Sequence, residues 1–201
     1  PALNGIDAEQ PYQVGYNPGI SGLNLNFNRV HFEWQRNGNG YAVSMDARSA
    51  TLRPEVRAAR MTIEARGYPI YTYADGGTFD NWTVAREALG RNGARWLPVR
   101  KPGRYAAEVF QILARSNGIV LKAPEFPEAL PASATPILTH ESAPLRIILR
   151  DMLKFSTNIT AECVGMTTTV ARLGQVRSLK ESAEAMNAWA KDKLEMSSVA
   201  L

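Results

Sequence analysis

Apolar and polar residues alternate along much of the first half of the chain, as they do in half-buried β-strands. The alternation predicts a strand over residues 23–27 and a β-hairpin formed by residues 30–34 and 41–45. The two hairpin strands flank Asn37-Gly38-Asn39-Gly40, and Asn-Gly steps tolerate the positive φ of tight hairpin turns. The first half of the chain is therefore predicted to be rich in β-structure.

Two further strand pairs are predicted from similar runs. Residues 61–65 and 70–73 flank Gly67 and are expected to pair with each other. Residues 83–89 and 95–99 flank a Gly-Arg-Asn-Gly step and are expected to form a third pair.

Helical spacing replaces the alternation after residue 100. Apolar residues from Tyr105 to Leu113 recur at this spacing, between a Pro-Gly step and an Asn-Gly step that mark the two ends of a helix. The apolar run at 119–121 predicts a short buried strand. Residues 123–136 contain four prolines, which is typical of a surface connection, and we expect a domain boundary near His140.

The last third of the chain has the pattern of three helices. In the first, Ser142 is expected to cap the helix and Pro144 to occupy its first turn, ahead of one apolar stripe. The second is expected to begin near Asn158 and to continue toward Val170. A capping-box pattern at Ser178 predicts the start of the third. These patterns indicate an α+β fold.

Composition is that of an ordinary globular protein. The 201 residues are 45% hydrophobic and 21% charged, enough to bury one good core or two small ones. The sequence contains neither an apolar run long enough for a transmembrane segment nor a signal-peptide pattern at its start. Since the chain begins at Pro1 without a methionine, we expect a processed product or a part of a longer protein.

Charge and metal-binding residues exclude several functions. The net charge is +4, but the 17 arginines and 6 lysines are spread along the chain, so a nucleic-acid partner is not expected. A basic domain that binds an anionic polymer stays open as a weaker alternative. The single cysteine, Cys163, excludes an internal disulfide and is expected in the core. With only His31 and His140 besides, no metal site built from cysteine or histidine is predicted.

The junction between the first two of these helices carries the candidate chemistry. Ser156 lies in the break between them and Asn158 opens the second helix, so both side chains are expected at one site. A Ser-x-Asn triplet alone is uninformative, because a chain of this composition produces one by chance. Ser156 is also open to a plain structural interpretation, as the cap of the second helix.

The wider context resembles the D-alanyl-D-alanine carboxypeptidase–endopeptidases, which are the low-molecular-mass class C penicillin-binding proteins of bacterial cell walls. Ser-Ala-Pro-Leu, an apolar helix, Met-Leu-Lys-Phe-Ser-Thr-Asn and Ile-Thr-Ala-Glu, within residues 142–162, are similar to the second active-site motif of this family. The segments 96–98, 101–119 and 20–30 also resemble family segments. Phe155 and Thr157 depart from the family, which more often has polar or acidic residues there.

The resemblance implies a fold and a mechanism. Residues 1–139 would be β-rich inserted structure with one long helix, and residues 140–201 a helical part of the transpeptidase-like catalytic domain. In this family a Ser-x-x-Lys serine attacks the penultimate D-alanine carbonyl and forms an acyl-enzyme. Ser156 would then relay a proton toward the departing amine, and Asn158 would donate to the substrate amide. The implied partners are peptidoglycan peptides and β-lactams, and the implied location is the periplasm. The resemblance also implies that the complete enzyme needs no metal or organic cofactor.

Two active-site motifs of the family, Ser-x-x-Lys and Lys-Thr-Gly, are missing from this sequence. None of the 11 serines has a lysine three residues later, and no lysine is followed by Thr-Gly or Ser-Gly. We therefore expect a middle piece of such an enzyme that is inactive by itself. The alternative is a non-catalytic cell-wall binding or scaffold protein of the same architecture.

Overall fold

The structure, a computed structural model, describes residues 11–127, 131–176 and 178–198. Within these ranges it has six strands and four α-helices, and this mixture confirms the predicted α+β class. In chain order they are β1 (Arg29–Asn37), β2 (Gly40–Asp46), β3 (Ala59–Glu64), β4 (Tyr71–Asp75), β5 (Asp80–Ala85), β6 (Asn92–Pro98), α1 (Pro102–Ser116), α2 (Leu145–Phe155), α3 (Asn158–Leu173) and α4 (Leu179–Leu194).

The first sheet has the strand order β2-β1-β6, and both neighbours of β1 are antiparallel to it. The predicted hairpin is confirmed: Asn37 pairs with Gly40, which leaves Gly38 and Asn39 as a two-residue turn. Gly38 has φ +56°, a value that glycine adopts without the steric cost of a side chain.

The second sheet has the order β3-β5-β4, and it corrects both other predicted pairings. β4 pairs with β5 as an antiparallel hairpin, whereas β3 lies parallel to the other edge of β5. The turn of this hairpin contains Gly77 at φ +74°, whose N–H donates to the Asp75 carboxylate at 2.7 Å. β5 and β6, which were expected to pair, lie in different sheets because β6 pairs with β1.

Two predicted short strands are absent from the described residues. Residues 23–27 end in a single turn, Asn26–Asn28, whose three residues have positive φ values of 52°, 55° and 49°. Asparagine tolerates this left-handed region better than most residues, so the apolar–polar alternation here reflected a turn rather than a strand. Ile119 and Val120 are exposed and lie outside any strand, which corrects the predicted buried strand at 119–121.

One core joins the two sheets and α1. Its buried residues come from all three elements and include Phe32, Trp82, Leu97 and Tyr105. The Tyr105 hydroxyl donates to the Arg29 carbonyl at 2.8 Å, and burial raises the pKa of Tyr105 to about 12. α1 thus fixes the start of β1, which matters for the site described below.

The four helices form where the sequence predicts them, with one correction at a cap. α2 begins after Pro144, which is its N-cap, and the Ser142 hydroxyl contacts the Ala143 carbonyl instead of capping the helix. The cap of α4 is confirmed, since the Ser178 hydroxyl accepts from the Glu181 N–H at 3.0 Å.

α3 packs on α4 through small residues. The Thr169 hydroxyl lies 2.9 Å from that of Ser182, and it donates to the Gly165 carbonyl at 3.0 Å. In contrast, α2 buries none of its residues fully and keeps large apolar side chains exposed, such as Leu153 at 77%. The boundary between residues 139 and 140 stays a prediction.

Candidate active site

The α2–α3 junction has an unusual backbone at Ser156. This residue ends α2 in the left-handed conformation, with φ 53° and ψ 51°, and its N–H donates to the Met152 carbonyl. The next N–H, that of Thr157, donates to the same carbonyl at 3.2 Å. Glycine is the usual residue at such a helix end, because a side chain there costs about 1–2 kcal/mol. A serine kept in this conformation is the kind of local strain that often accompanies function.

The interpretation of Ser156 as the cap of α3 is wrong. The N-cap of α3 is Thr157, and its side chain makes no capping hydrogen bond. Ser156 is exposed, and in the described ranges its hydroxyl has no hydrogen-bond partner. Asn158, the first residue of α3, is exposed as well. Both side chains are therefore available to a bound molecule.

Both residues line one open cleft of about 450 Å³. The wall on their side is the α2–α3 junction, residues 155–159. The other wall consists of Gly15, Tyr16 and Pro18, together with Phe27 and Arg29 from the left-handed turn and the start of β1. The structure thus brings the two predicted site residues together, at a place where the N-terminal segment meets the helices.

The second wall is held in place by the buried side chain of Asn28. Its amide donates to the Gly19 carbonyl at 2.8 Å and to the Asn24 side chain at 2.6 Å, and its Oδ1 accepts from the Leu25 N–H at 3.1 Å. The Gly19 N–H in turn donates to the Val99 carbonyl at 2.8 Å. These bonds compensate for the strain of three consecutive left-handed residues.

The turn places Phe27 against Arg29. The Arg29 guanidinium lies 5.2 Å from the Phe27 ring centroid and 5.2 Å from that of Trp96, distances within the range of cation–π contacts. Burial lowers the pKa of Arg29. No motif in the sequence points to Arg29 as a site residue; the only local signal was the repeated asparagine, which favours a left-handed turn.

Burial shifts the pKa values of two neighbouring residues of α3, Glu162 and Cys163, and neither of them is a candidate nucleophile. Cys163 is half-buried rather than fully in the core, and its sulfur accepts a hydrogen bond from the Asn24 amide at 3.2 Å. Burial raises the pKa of its thiol, so the reactive thiolate is disfavoured. Burial also raises the pKa of Glu162.

The part of the chain that the structure describes has neither a metal site nor a membrane-spanning helix. No group of three or more His, Cys, Asp or Glu side chains there is placed to hold a metal ion. Over the same residues, none of the helices has the length and apolar character needed to cross a membrane.

Comparison with known proteins identifies the relatives of the chain. The family model of the D-Ala-D-Ala carboxypeptidase 3 (S13) family matches residues 7–200. Comparison with curated protein sequences finds no match.

Among solved structures, penicillin-binding protein 4 (DacB) from Haemophilus influenzae matches with a TM-score of 0.68 and 16% identity, over 94% of this chain and 43% of that protein. The same protein complexed with a novel β-lactam matches with a TM-score of 0.65 and 15% identity, over 90% of this chain and 42% of that protein. The chain thus has this fold and spans less than half the length of these structures.

Proposed function

Because the chain belongs to the D-Ala-D-Ala carboxypeptidase 3 (S13) family, we propose that it is part of a periplasmic serine D-Ala-D-Ala carboxypeptidase/endopeptidase. The enzyme acts on peptidoglycan stem peptides through an acyl-enzyme and binds β-lactams at the same site. The observation that carries this proposal is the pair Ser156 and Asn158, both exposed in one cleft. The strained backbone at Ser156 supports a functional rather than a structural role.

Each residue of the pair has a role that suits its chemistry. When the nucleophilic serine attacks the carbonyl of the penultimate D-alanine, the C–N bond to the terminal D-alanine breaks and the leaving nitrogen needs a proton. The Ser156 hydroxyl both donates and accepts, so it relays to the leaving amine the proton that the attacking serine hydroxyl gives up. The Asn158 side chain donates from its NH₂ to the substrate carbonyl and thereby orients the peptide.

The nucleophile of this reaction lies outside the 201 residues, since no Ser-x-x-Lys and no Lys-Thr-Gly occurs among them. The proposal therefore assigns an assisting role to this chain. The exposed apolar side chains of α2, among them Leu145 and Leu153, supply a surface on which the rest of a catalytic domain packs.

The direct test is covalent labelling of the polypeptide that the complete gene encodes. A fluorescent penicillin is expected to form an adduct that survives denaturing gel electrophoresis, and excess unlabelled penicillin is expected to prevent it. A folded gene product that stays unlabelled would refute the proposed enzyme activity.

The alternative is a non-catalytic cell-wall binding or scaffold protein of the same architecture, and the missing motifs are the observation that favours it. Sequencing the gene on both sides of this segment separates the two. Ser-x-x-Lys upstream and Lys-Thr-Gly downstream support the enzyme, whereas a complete gene without them supports the scaffold.

A further inference from the structure

Among the described residues that line the cleft of Ser156 and Asn158, Arg29 is the single charged one. We propose that Arg29 binds a free carboxylate of the peptide in this cleft and so selects for anionic peptides. This inference rests on the proposed function, because it assumes that a peptide occupies the cleft.

Among the residues that the structure describes, Arg29 has no partner of the kind that a half-buried cation normally has. Within residues 11–127, 131–176 and 178–198 it forms no ion pair, and its Nε is buried without a hydrogen-bond partner. By comparison, Arg48 is paired with Glu33 at 2.6 Å and with Asp46 at 2.9 Å. A buried polar atom without a partner costs stability unless a ligand supplies that partner.

The surroundings keep the guanidinium ready for an anion. It lies 5.2 Å from the ring centroid of Phe27 and 5.2 Å from that of Trp96. Aromatic contacts hold the plane of the guanidinium without using up its N–H donors. A planar guanidinium binds a carboxylate through two parallel hydrogen bonds.

The opposite wall of the cleft, at the α2–α3 junction, also favours a negatively charged ligand. α3 begins at Asn158, so the positive end of its helix dipole lies at the cleft. The rest of the lining is neutral, with apolar surface from Tyr16, Pro18 and Phe155. None of the described lining residues is acidic, so none of them would repel a carboxylate.

A carboxylate of the peptide has two sources. One is its C-terminus, and the other is an acidic side chain before the D-Ala-D-Ala end. Four acetylated tripeptides distinguish them: glutamyl-D-Ala-D-Ala, glutaminyl-D-Ala-D-Ala and the C-terminal amide of each. Their dissociation constants are measured by calorimetry on the 201-residue chain, whose lack of the Ser-x-x-Lys motif prevents turnover.

We expect glutamyl-D-Ala-D-Ala to bind most tightly. Either replacing its glutamate by glutamine or amidating its C-terminus should weaken binding about 10- to 100-fold. The change that does so identifies the carboxylate that Arg29 binds. R29Q should abolish that difference, and R29K should restore part of it, because lysine keeps the charge without the planar fork. The matched control is R104Q: Arg104 also stacks on an aromatic ring, that of Phe126, but does not line the cleft.

The proposal is overturned if R29Q leaves all four dissociation constants unchanged, or if neither change to the peptide weakens binding, or if none of the peptides binds. It is also overturned if R29Q weakens all four equally while lowering the melting temperature, since that indicates a structural role. Penicillin labelling of the complete gene product tests the proposed function separately. If the gene product is labelled but peptide binding does not depend on Arg29, only this inference is wrong. If peptide binding depends on Arg29 but the gene product is not labelled, only the proposed enzyme activity is wrong.

Discussion

The side-chain amide of Asn24 donates a hydrogen bond to the sulfur of Cys163 at 3.2 Å. Asn24 belongs to the loop before β1, and Cys163 lies in the second turn of α3, so this bond connects the two sides of the cleft. Asn24 also accepts from Asn28, whose other bonds hold the left-handed turn. The position of Ser156 relative to Arg29 therefore depends on contacts between the N-terminal loop and the helices.

The reactivity of the Cys163 thiol can be measured without interference, because Cys163 is the only cysteine in the chain. Burial raises the pKa of its thiol, and the Asn24 hydrogen bond offsets this only in part. We predict that the rate of alkylation by iodoacetamide has its pH midpoint at a higher pH in the folded chain than in the same chain unfolded in urea. Equal midpoints, or a lower one in the folded chain, would contradict the buried position of the thiol.

The raised pKa of the Cys163 thiol also makes the stability of the fold depend on pH. A thiol whose pKa is higher in the folded state loses its proton first in the unfolded state, so the free energy of unfolding falls as the pH rises past the pKa of the unfolded thiol. Cys163→Ala should remove this part of the pH dependence.

Replacing Ser156 should separate stability from function. Since Ser156 has φ 53°, Ser156→Gly relieves the left-handed strain and should raise the free energy of unfolding by about 0.5–1 kcal/mol, after the greater flexibility of glycine in the unfolded chain is allowed for. In the complete gene product the same substitution should slow acylation by penicillin. Urea denaturation and labelling rates measure the two effects.

Glu195→Gly is the matched control for this prediction. Glu195 ends α4 with φ 54°, in the same conformation, but it does not line the cleft. It should give a similar gain in stability with unchanged acylation. If Ser156→Gly instead lowers stability, the serine side chain contributes to the fold and the strain argument is wrong.

Gly19 is predicted to be essential for the wall of the cleft opposite Ser156. A Cβ at this position would lie 2.9 Å from the Arg100 carbonyl oxygen and 3.1 Å from Pro102 Cδ, and the backbone contact cannot be relieved by a side-chain rotation. Gly19→Ala should therefore cost about 1–3 kcal/mol in urea denaturation. Gly22→Ala, where an added Cβ meets nothing within 4 Å, should change stability by less than about 0.5 kcal/mol. Similar effects of both substitutions would contradict the close packing at Gly19.

The elements that depend on local sequence were the ones that could be predicted. The Asn37–Gly40 segment specifies its hairpin because glycine supplies the positive φ that the turn needs. The apolar stripe of α2 and the cap at Ser178 likewise act within a few residues. For the same reason Ser156 and Asn158, two positions apart, line one cleft, whereas their catalytic roles stay a prediction.

Long-range relationships had no such signal. β3 pairs in parallel with β5, across the intervening β4, and no turn sequence encodes that choice. Arg29 precedes Ser156, which lines the same cleft, by 127 residues. The left-handed turn beside Arg29 has the same apolar–polar alternation as a strand. Tertiary packing decides both cases, so the second wall of the cleft was missed.

The most direct test of the central claim is the rate constant for acylation of the complete gene product by a fluorescent penicillin, with Ser156→Ala compared with the unaltered protein. If Ser156 relays the proton of the acyl-transfer step, the substitution should slow acylation by about 10²- to 10⁴-fold while the melting temperature is retained. Acylation of the folded Ser156→Ala protein at the unaltered rate would contradict the account.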